Sequence, residues 1–444
     1  MGKFLLVFPI FDLTLRLNGF PIGQARQKLD SILAVNDRDY ETFLEEKKRE
    51  LAHFHLKHNP FYQALVGKDA FENWEDLPIM RKIDFQRPLA ERLSNGYSEK
   101  KVFVNKTSGS SGDPMVFAKD KPCHALIWAN IMRRFGWYGV DFNRSLQARF
   151  YGQSMDWFAR LVLRLKDFLS HRYRFSIFDF SDAGIEKILH KFRSTQFDYI
   201  NGYTSSIVQV AHYLKRKNLV LKDLCPSLRV CIVTSEMLFD DDRILLEQYL
   251  GVPVVNEYGA SEVDVIAIEN PDGRWLVNAE TCFVEIVDEN GKVVPKGQQG
   301  RILVTSLYNF AHPFIRYEVG DYGVLDLSGT AKHPVLQKLI GRTNDVAVLP
   351  SGKKPAGMTF YSITKKLFGD EGNVKEFVIT QTQLDTFEIE YVADQALSEA
   401  EKNNMEKVFG DFLEPGLHYI FIRRDGLQRS KSGKLKQFTS RVSS

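Results

Sequence analysis

Residues 107–113, TSGSSGD, are the first stretch of the chain whose composition suits chemistry on a bound ligand. Each of them is a glycine or has a short side chain that ends in a hydroxyl or a carboxylate. Backbone N–H groups and hydroxyls in such a run can hold a phosphate, because glycine permits close approach and unusual dihedrals. The run is neither a Walker A loop nor a nucleophile elbow, since it lacks GK[ST] and GxSxG at the required spacing. Taken alone, it is equally typical of a flexible surface loop.

Four further segments place glycine beside charged or hydroxyl side chains, and they follow the first loop in one order. They are NEYGASE (256–262), RYEVGD (316–321), GRTND (341–345) and RSKSGK (429–434). Together with the first loop they resemble the recurrent motifs of the adenylate-forming (ANL) superfamily, over nearly the whole chain. The segments LPIMRKIDF (77–85), TSEMLFDDDR (234–243) and FIRYEVGDYG (314–323) are similar to one branch of it. That branch contains phenylacetate–CoA ligases and the CapK-type proteins of capsular polysaccharide clusters.

The resemblance implies a site that binds ATP. The first loop would offer N–H groups and hydroxyls to the β- and γ-phosphates, which leave together as pyrophosphate. The loop residues expected to do this are Thr107, Ser108, Gly109, Ser110, Ser111 and Gly112. Tyr258 would lie against the adenine ring, where a phenol can stack. Ser235 and Glu236 would line the adenine, and Gly259 and Ser261 complete the expected nucleotide-binding set.

Charged residues complete the site that the resemblance implies. Asp321 would accept hydrogen bonds from the ribose hydroxyls, and Arg342 would lie near the ribose or the phosphates. Glu262 is expected to act in catalysis through Mg²⁺, because a carboxylate binds this hard cation well. The alternative is a surface ion pair for Asp321 and Arg342 and a solvated carboxylate for Glu262. Arg316 also matches its motif, but a structural salt bridge explains it equally well.

Lys434, at the end of RSKSGK, matches the catalytic lysine of the superfamily, which is carried on a mobile C-terminal domain. Between the carboxylate and the α-phosphate, its ammonium would neutralise charge that develops in the transition state. Lys431 and Lys436 are close neighbours, so a solvated basic tail is the alternative interpretation. The family often has two acidic residues after GR-x, whereas Asn344 precedes Asp345 here. The first of these positions is usually the hinge, and asparagine can also absorb the backbone change.

The acyl pocket of such an enzyme is expected near residues 148–157 and 201–206. Its candidate residues are Tyr151, Gly152 and Tyr203. Aromatic side chains at these positions fit an acyl pocket, but they also fit ordinary packing in a hydrophobic core.

Hydrophobic patterning predicts the elements that position these residues. Candidate strands alternate with candidate helices in the order 197–203, 205–218, 228–236, 241–251 and 252–259. This alternation predicts βαβ units and a parallel sheet, whose ligands bind beyond the carboxyl ends of the strands. Short polar sequences with glycine or hydroxyl side chains follow those strand ends, so the site is expected there.

The remaining patterns predict a second domain. Residues 39–70 are expected to be helical with a break at Pro60, and the chain after Asp264 is expected to form a β-rich lobe. A boundary near 339–357 is followed by helix patterns at 359–368 and 397–413 and strand patterns at 374–383, 386–394 and 418–424. The predicted fold class is α/β. A large N-terminal adenylation domain with a parallel sheet and β-rich lobe (1–342) precedes a small, mobile α+β domain (343–444).

Composition excludes several classes of protein. A chain of 444 residues is expected to form two or more domains, and 44% hydrophobic with 26% charged residues is ordinary for a soluble protein. A net charge of +3 gives no basis for a nucleic-acid surface. The four cysteines contain no CxxC pair, which argues against zinc and a disulfide framework and favours the cytoplasm.

The N-terminal sequence is apolar but short. Residues 3–11, KFLLVFPIF, are too few to span a bilayer, and no signal-peptide cleavage site follows them. We expect no transmembrane segment. Burial against the protein is the main interpretation, and a weak peripheral membrane contact through residues 4–11 is the alternative.

The sequence therefore predicts an ATP- and Mg²⁺-dependent ligase that converts a carboxylic acid to an acyl-adenylate. Coenzyme A is the first expected acyl acceptor, by resemblance to phenylacetate–CoA ligases. The CapK resemblance leaves an amine or hydroxyl of a sugar or another metabolite as a second acceptor, in polysaccharide biosynthesis. Two further alternatives are a nucleotidyltransferase that stops at the adenylate and a nucleotide-binding protein without catalysis. Nucleic acid is not an expected partner.

Overall fold

The computed structural model of this protein describes most of the chain. The described residues are 9–67, 70–107, 114–152, 157–177, 179–342, 347–353, 355, 373–429 and 435–442, with the backbone alone at 157–160, 342 and 411–412. The chain divides into two compact units. The first comprises Met1–Val319 and Val324–Gln337, and the second comprises Gly320–Gly323 and Lys338–Ser444.

Helices open the first unit. They are α1 (Ile10–Leu17), α2 (Ile22–Leu33), α3 (Tyr40–His58) and α4 (Pro60–Val66). The predicted break at Pro60 is confirmed, because α3 ends at His58. The Asn59 side chain caps α4 by accepting a hydrogen bond from the Tyr62 N–H at 2.9 Å. Pro60 suits the first turn of α4, where a backbone N–H has no intrahelical partner.

Short elements then lead to a hairpin that frames the first loop. Two 3₁₀ helices (Trp74–Asp76 and Lys82–Phe85) and α5 (Leu89–Arg92) precede β1 (Phe103–Lys106) and β2 (Val116–Lys119). β1 and β2 pair antiparallel, with Lys106 opposite Val116 at the end nearest the loop.

A seven-stranded sheet forms the centre of the first unit. Its strands are β3 (Gln147–Phe150), β4 (Arg172–Phe175), β5 (Tyr199–Tyr203), β6 (Val230–Thr234), β7 (Val254–Ala260), β8 (Asp264–Glu269) and β9 (Trp275–Val277). Their order is β4-β3-β5-β6-β7-β8-β9, with β3 to β7 parallel and β8 and β9 antiparallel. The helices around them are α6 (Lys121–Gly136), α7 (Trp157–Leu169), α8 (Asp182–Ser194), α9 (Thr204–Lys217), α10 (Leu221–Leu224) and α11 (Asp240–Leu250).

Both faces of this sheet are covered, which explains why its strands are apolar almost throughout. On one face Ile200 and Val233 belong to a core cluster with residues of α8, α9 and α11. On the other face Ile232 and Val255 pack with Phe135 of α6. The predicted βαβ units and parallel sheet are confirmed.

A β-rich lobe follows the sheet, but it begins later than the predicted start after Asp264, because β8 and β9 pair with β7 and belong to the central sheet. It contains β10 (Cys282–Val287), β11 (Gln299–Ser306), β12 (Tyr317–Leu325) and β13 (Leu336–Arg342), in this order across a four-stranded sheet. Residues 320–323 of β12 and 338–342 of β13 are grouped with the second unit.

The second unit has an α+β core of its own. Its elements are β14 (Val374–Gln383), β15 (Thr386–Ala393), α12 (Glu399–Phe412), β16 (His418–Arg423) and β17 (Phe438–Ser440), and the sheet order is β16-β15-β14-β17. Ile379, Ile389 and Phe409 are buried together. The predicted strands and the helix at 397–413 are confirmed, whereas the predicted helix at 359–368 lies outside the described residues. The boundary at 342/343 and the mobility of this unit stay predictions.

All four cysteines have free, buried thiols. Among the described residues, no group of His, Cys, Asp and Glu side chains is arranged to hold a metal ion. Within the same ranges, no helix is long and apolar enough to cross a membrane.

Candidate active site

The hairpin of β1 and β2 is closed by hydrogen bonds at the base of the first loop. The Thr107 N–H donates to the Met115 carbonyl at 2.9 Å, and the Met115 N–H donates to the Thr107 hydroxyl at 3.0 Å. Thr107 therefore has a clear structural role as well as the nucleotide role predicted for it. The other predicted loop residues, Ser108, Gly109, Ser110, Ser111 and Gly112, lie outside the described residues.

Lys119, at the end of β2, joins this hairpin to the NEYGASE segment. Its side chain is fully buried, and its ammonium donates to the Ser261 carbonyl at 2.9 Å and to the Asp264 carboxylate. Burial raises the pKa of Asp264, although the nearby Lys119 charge opposes that shift. Removing one member of a buried pair of opposite charges strongly destabilises the fold, because the other charge stays buried without a partner. The structure thus fixes the hairpin that carries the first loop beside the NEYGASE segment, at the end of β2 away from the loop.

The backbone of NEYGASE is shaped for a close turn. β7 and β8 shift register between Tyr258 and Gly259, which marks a β-bulge. A Cβ at Gly259 would lie 2.4 Å from the Asp264 carbonyl oxygen, so the turn needs glycine there. Tyr258 is buried, and its ring packs edge-on to Trp275 with centroids 6.1 Å apart.

Glu262 is buried just beyond this turn. Its Oε1 atom accepts a hydrogen bond from the Tyr317 hydroxyl at 2.9 Å. Tyr317 belongs to the RYEVGD segment, so a third predicted motif reaches the same place in the first unit. The hydrogen bond orients a carboxylate that would otherwise choose among several rotamers.

Ser235 and Glu236 follow β6, at the carboxyl end of the parallel sheet. Ser235 has a φ of 70°, a left-handed conformation that is uncommon for a residue with a side chain. Such strain is often kept at functional sites. The Glu236 carboxylate accepts the Ser205 N–H at 2.8 Å, at the start of α9, where the helix dipole favours a negative charge.

The predicted acyl-pocket residues lie at the carboxyl ends of β3 and β5. The rings of Tyr151 and Tyr203 pack with centroids 4.8 Å apart. The Tyr151 hydroxyl donates to the Asn201 Oδ1 at 3.0 Å, and Asn201 donates to the Ile232 carbonyl at 3.0 Å. Gly152 follows Tyr151 directly and is partly buried. Tyr151 therefore takes part in a hydrogen-bonded network, while Tyr203 belongs to the hydrophobic core that Tyr151 packs against.

Two charged residues that were not predicted from the sequence extend this network. The Arg149 guanidinium lies over the Tyr151 ring, 3.9 Å from its centroid, and its buried Nε has no hydrogen-bond partner among the described residues. Glu257 accepts a hydrogen bond from Thr234 on the neighbouring strand. Burial raises the pKa of Glu257 to about 7, against the opposing effects of Thr234 and Arg149.

One signal in the sequence could have found these residues. Strands that are buried on both faces are expected to be apolar. Arg149, Asn201 and Glu257 interrupt such strands close to their carboxyl ends, where ligands bind in a parallel sheet.

The remaining predicted residues belong to other parts of the chain. Asp321 is partly buried within β12, in the stretch grouped with the second unit. Arg342 ends β13, and its side chain lies outside the described set, as does Lys434 in full. Arg316 has a structural role, because it is buried and donates to the carbonyls of Glu75 and Gly291 at 2.8 and 2.9 Å.

Comparison with known proteins shows similarity to CapK and to phenylacetate–coenzyme A ligases. No protein-family model matches the chain. CapK of Staphylococcus aureus is 22% identical over 383 residues, which are 82% of this chain and 80% of CapK. The phenylacetate–coenzyme A ligase of Pseudomonas putida is 32% identical over 182 residues, which are 39% of this chain and 40% of that protein.

Solved structures share the fold. A 2-hydroxyisobutyryl-CoA ligase, in the postadenylation state with R3-HIB-AMP, has a TM-score of 0.69 at 16% identity and covers 90% of this chain and 88% of its own. ATP-bound MatB from Rhodopseudomonas palustris has a TM-score of 0.52 at 16% identity and covers 76% of this chain and 65% of its own. The predicted resemblance and the predicted α/β fold are confirmed.

Proposed function

We propose that this chain, an adenylate-forming ligase by fold with relatives among phenylacetate–CoA ligases and CapK, uses ATP to activate a carboxylic acid. The acyl-adenylate then transfers its acyl group to coenzyme A. The Lys119 junction is the observation that carries this proposal. It holds the hairpin that carries the Ser/Gly loop beside the turn that contains Tyr258 and Glu262, through the end of β2 away from the loop. One nucleotide could therefore place its phosphates at the loop and its base at the turn.

In the first half-reaction a carboxylate oxygen of the acid attacks the α-phosphorus of ATP. The bond from that phosphorus to the bridging oxygen breaks, and pyrophosphate leaves with the electron pair. Both reactants are anions, so catalysis consists mainly of positioning and charge neutralisation. We assign the pyrophosphate to the loop 107–112 and the neutralising ammonium to Lys434.

Glu262 is suited to be a ligand of Mg²⁺. Mg²⁺ is usually bound by one or two carboxylates together with substrate phosphates. Glu262 offers one carboxylate, which the Tyr317 hydroxyl holds in place at 2.9 Å. When bound, Mg²⁺ would supply positive charge to the departing phosphates.

In the second half-reaction the acceptor attacks the acyl carbonyl, and AMP leaves. Coenzyme A is favoured because the relatives and structural neighbours include enzymes named as CoA ligases. The similarity to CapK extends over 82% of the chain. We therefore retain a second proposed acceptor, which is an amine or hydroxyl of a sugar or another metabolite. In either case the acceptor loses one proton as its bond to the acyl carbon forms.

The polar network at the acyl end supports a proposal about the class of acid. Tyr151, Asn201, Arg149 and Glu257 surround the ends of β3, β5 and β7 with hydrogen-bonding groups. A site built to hydrogen-bond a polar group of its ligand rejects an analogue that lacks the group, by roughly 10⁴-fold in favourable cases. We therefore assign an acid that carries a hydroxyl, amine or second carboxyl group.

Acid-dependent formation of AMP and pyrophosphate tests this function. The purified protein receives ATP, Mg²⁺ and pairs of acids that differ by one polar group, such as propionate with lactate and phenylacetate with hydroxyphenylacetate. We expect turnover that needs the acid, with the polar member of a pair preferred. Heat stabilisation by ATP without pyrophosphate release from any acid would favour the non-catalytic alternative. A preference for the acid without the polar group would contradict the proposed class of acid but not the proposed adenylation reaction.

A further inference from the structure

Helix α7 turns the polar side chain of Asp167 inward and exposes an apolar side. Asp167 is buried on the inner side, where it pairs with Arg172 and Arg174 of β4, each at 3.0 Å. The outer side carries a stripe of exposed apolar residues at helical spacing, namely Leu161, Val162, Leu165, Phe168 and Leu169. Phe168 is 77% exposed and Leu165 is 60% exposed. An amphipathic helix normally buries such a stripe, so this orientation calls for an occupant.

Helix α1 contacts α7 and enlarges the apolar surface. α1 buries Phe11 and Leu15 in the core beneath it but leaves Leu13 and Leu17 exposed, the latter at 79%. We call the exposed apolar residues of these two helices the α1/α7 face. It belongs entirely to the first unit and lies outside the candidate active site.

The exposed charges beside this face are positive. On the described side chains of α1 and α7, Arg16, Arg164 and Lys166 are exposed. The two acidic residues of these helices are buried, with Asp167 paired to β4 and Asp12 paired to Arg26 at 2.6 Å. An apolar stripe flanked by cations is the pattern of a helix that lies in the surface of an anionic membrane.

A cleft of about 580 Å³ opens at the edge of the same face, between α7, β4 and α8. Its charged lining residues are Arg164, Arg172, Arg174, Lys187, Asp167 and Asp179, so cations outnumber anions. Phe168 and Leu163 give the cleft an apolar wall. Phe168 therefore belongs both to the cleft and to the α1/α7 face, which suits a ligand with an anionic head and an apolar tail.

We propose that the α1/α7 face binds the surface of an anionic lipid bilayer, with lipid phosphates entering the cleft between α7 and α8. A second copy of the chain fits less well. A two-fold contact through this face would gather the exposed cations of both copies in one interface, where α1 and α7 offer no exposed acidic residue among their described side chains. A bilayer instead supplies the missing apolar contacts and the missing negative charge together. The proposal does not depend on the proposed reaction.

Vesicle flotation tests the apolar part of this proposal. The full-length protein is mixed with phosphatidylcholine vesicles that contain or lack phosphatidylglycerol. We expect flotation with the anionic vesicles and a loss of about tenfold or more in affinity for each apolar side chain removed in Leu165→Ser/Phe168→Ser. Ile83→Ser/Leu327→Ser is the matched control, because these side chains are 72% and 78% exposed elsewhere on the first unit.

Charge variants test the electrostatic part. Arg164→Gln/Lys187→Gln should weaken binding to anionic vesicles by about fivefold per charge, and added salt should have the same effect. Arg49→Gln/Lys57→Gln removes two exposed charges from α3 and should leave binding unchanged. Equal losses of vesicle affinity in both double variants would contradict the proposal, because binding would then depend on the net charge of the protein and not on this cleft.

Three further results would overturn it. The first is a wild-type protein that does not float with anionic vesicles. The second is a solution dimer that Leu165→Ser/Phe168→Ser dissociates, because the face would then be an interface between copies. The third is heat stabilisation by inorganic phosphate without vesicle binding, because the cleft would then serve a free anion. Pyrophosphate release by the same variants reports separately on the proposed reaction.

Discussion

Replacing Lys119 by methionine should separate the phosphate-loop hairpin from the turn that follows Tyr258. Lys119 is fully buried and is the donor that links β2 to the Ser261 carbonyl and the Asp264 carboxylate. Methionine keeps most of the side-chain volume but removes the charge and both hydrogen bonds. Lys119→Met therefore tests the junction with little change in packing.

The expected loss of stability follows from the burial of the pair. Removal of one member of a buried ion pair costs about 3–5 kcal/mol, because the other charge stays buried without a partner. Asp264 retains 20% exposure of its side chain, so we expect the lower end, about 3 kcal/mol. Asp264→Asn in the Lys119→Met background removes the stranded charge and should restore at least ~1 kcal/mol. Asparagine also tolerates the φ of 63° at this position.

Urea unfolding followed by tryptophan fluorescence measures these changes in the first unit alone. All five tryptophans lie there, at Trp74, Trp128, Trp137, Trp157 and Trp275. Lys47→Met is the matched control, since Lys47 pairs with the exposed Glu50 on the surface of α3. Its loss should stay within ~1 kcal/mol. The KM for ATP should rise in Lys119→Met and stay unchanged in Lys47→Met.

A small effect would refute this reasoning. If Lys119→Met unfolds at the same urea concentration as Lys47→Met and binds ATP normally, the junction does not hold the motifs together. A double variant that is less stable than Lys119→Met would show that the Asp264 charge is not stranded in the single variant.

Three other variants probe neighbouring parts of the site. As the pH rises from 4.5 to about 7, wild type should lose up to ~3 kcal/mol of stability relative to Glu257→Gln, because only the folded protein keeps the Glu257 proton over that range. Urea midpoints of both proteins at pH 5 and pH 8 measure this difference. Gly202→Ala should cost about 2 kcal/mol or more in the same assay, since the new Cβ would lie 2.4 Å from the Phe150 carbonyl oxygen. Tyr317→Phe should cost only about 1 kcal/mol of stability but lower kcat by roughly tenfold, because Glu262 loses its orienting donor; acid-dependent pyrophosphate release measures kcat.

A specific result would contradict each of these three predictions. A constant difference between Glu257→Gln and wild type across pH would mean that the Glu257 carboxyl is not held protonated by burial. Gly23→Ala is the control for Gly202→Ala, because a Cβ at Gly23 meets nothing within 4 Å, and equal losses would exclude the steric cause. Unchanged kcat in Tyr317→Phe would remove the positioning role of its hydroxyl.

The sequence predicted the central sheet well because periodicity and chain order determine it. Residues 197–259 alternate short apolar runs with helical patterns, and right-handed parallel pairing then leaves few arrangements. The polar strand ends at Tyr203, Ser235 and Tyr258 follow from that topology. The break at Pro60 was equally predictable, since proline removes a helical donor.

The contacts that join the motifs were not predictable from local patterns. Lys119 ends an ordinary short strand, and its partner Asp264 lies 145 residues away. Glu257 sits next to the predicted Tyr258 but differs from it in pointing to the opposite face of β7, as the period of two requires. The outward stripe of α7 resembles any amphipathic helix in the sequence, and only the position of Asp167 shows which side is buried.

ATP–pyrophosphate exchange is the most direct test of the proposed activation of an acid. With an acid found in the substrate panel, labelled pyrophosphate should enter ATP only when acid, Mg²⁺ and enzyme are all present. Lys434→Ala should abolish the exchange, whereas Lys436→Ala removes the same charge from the same tail and should retain it. Lys434→Ala should also transfer the acyl group from a supplied acyl-adenylate at a rate closer to wild type. Acid-independent exchange, or release of ADP and phosphate in place of AMP and pyrophosphate, would contradict adenylate formation.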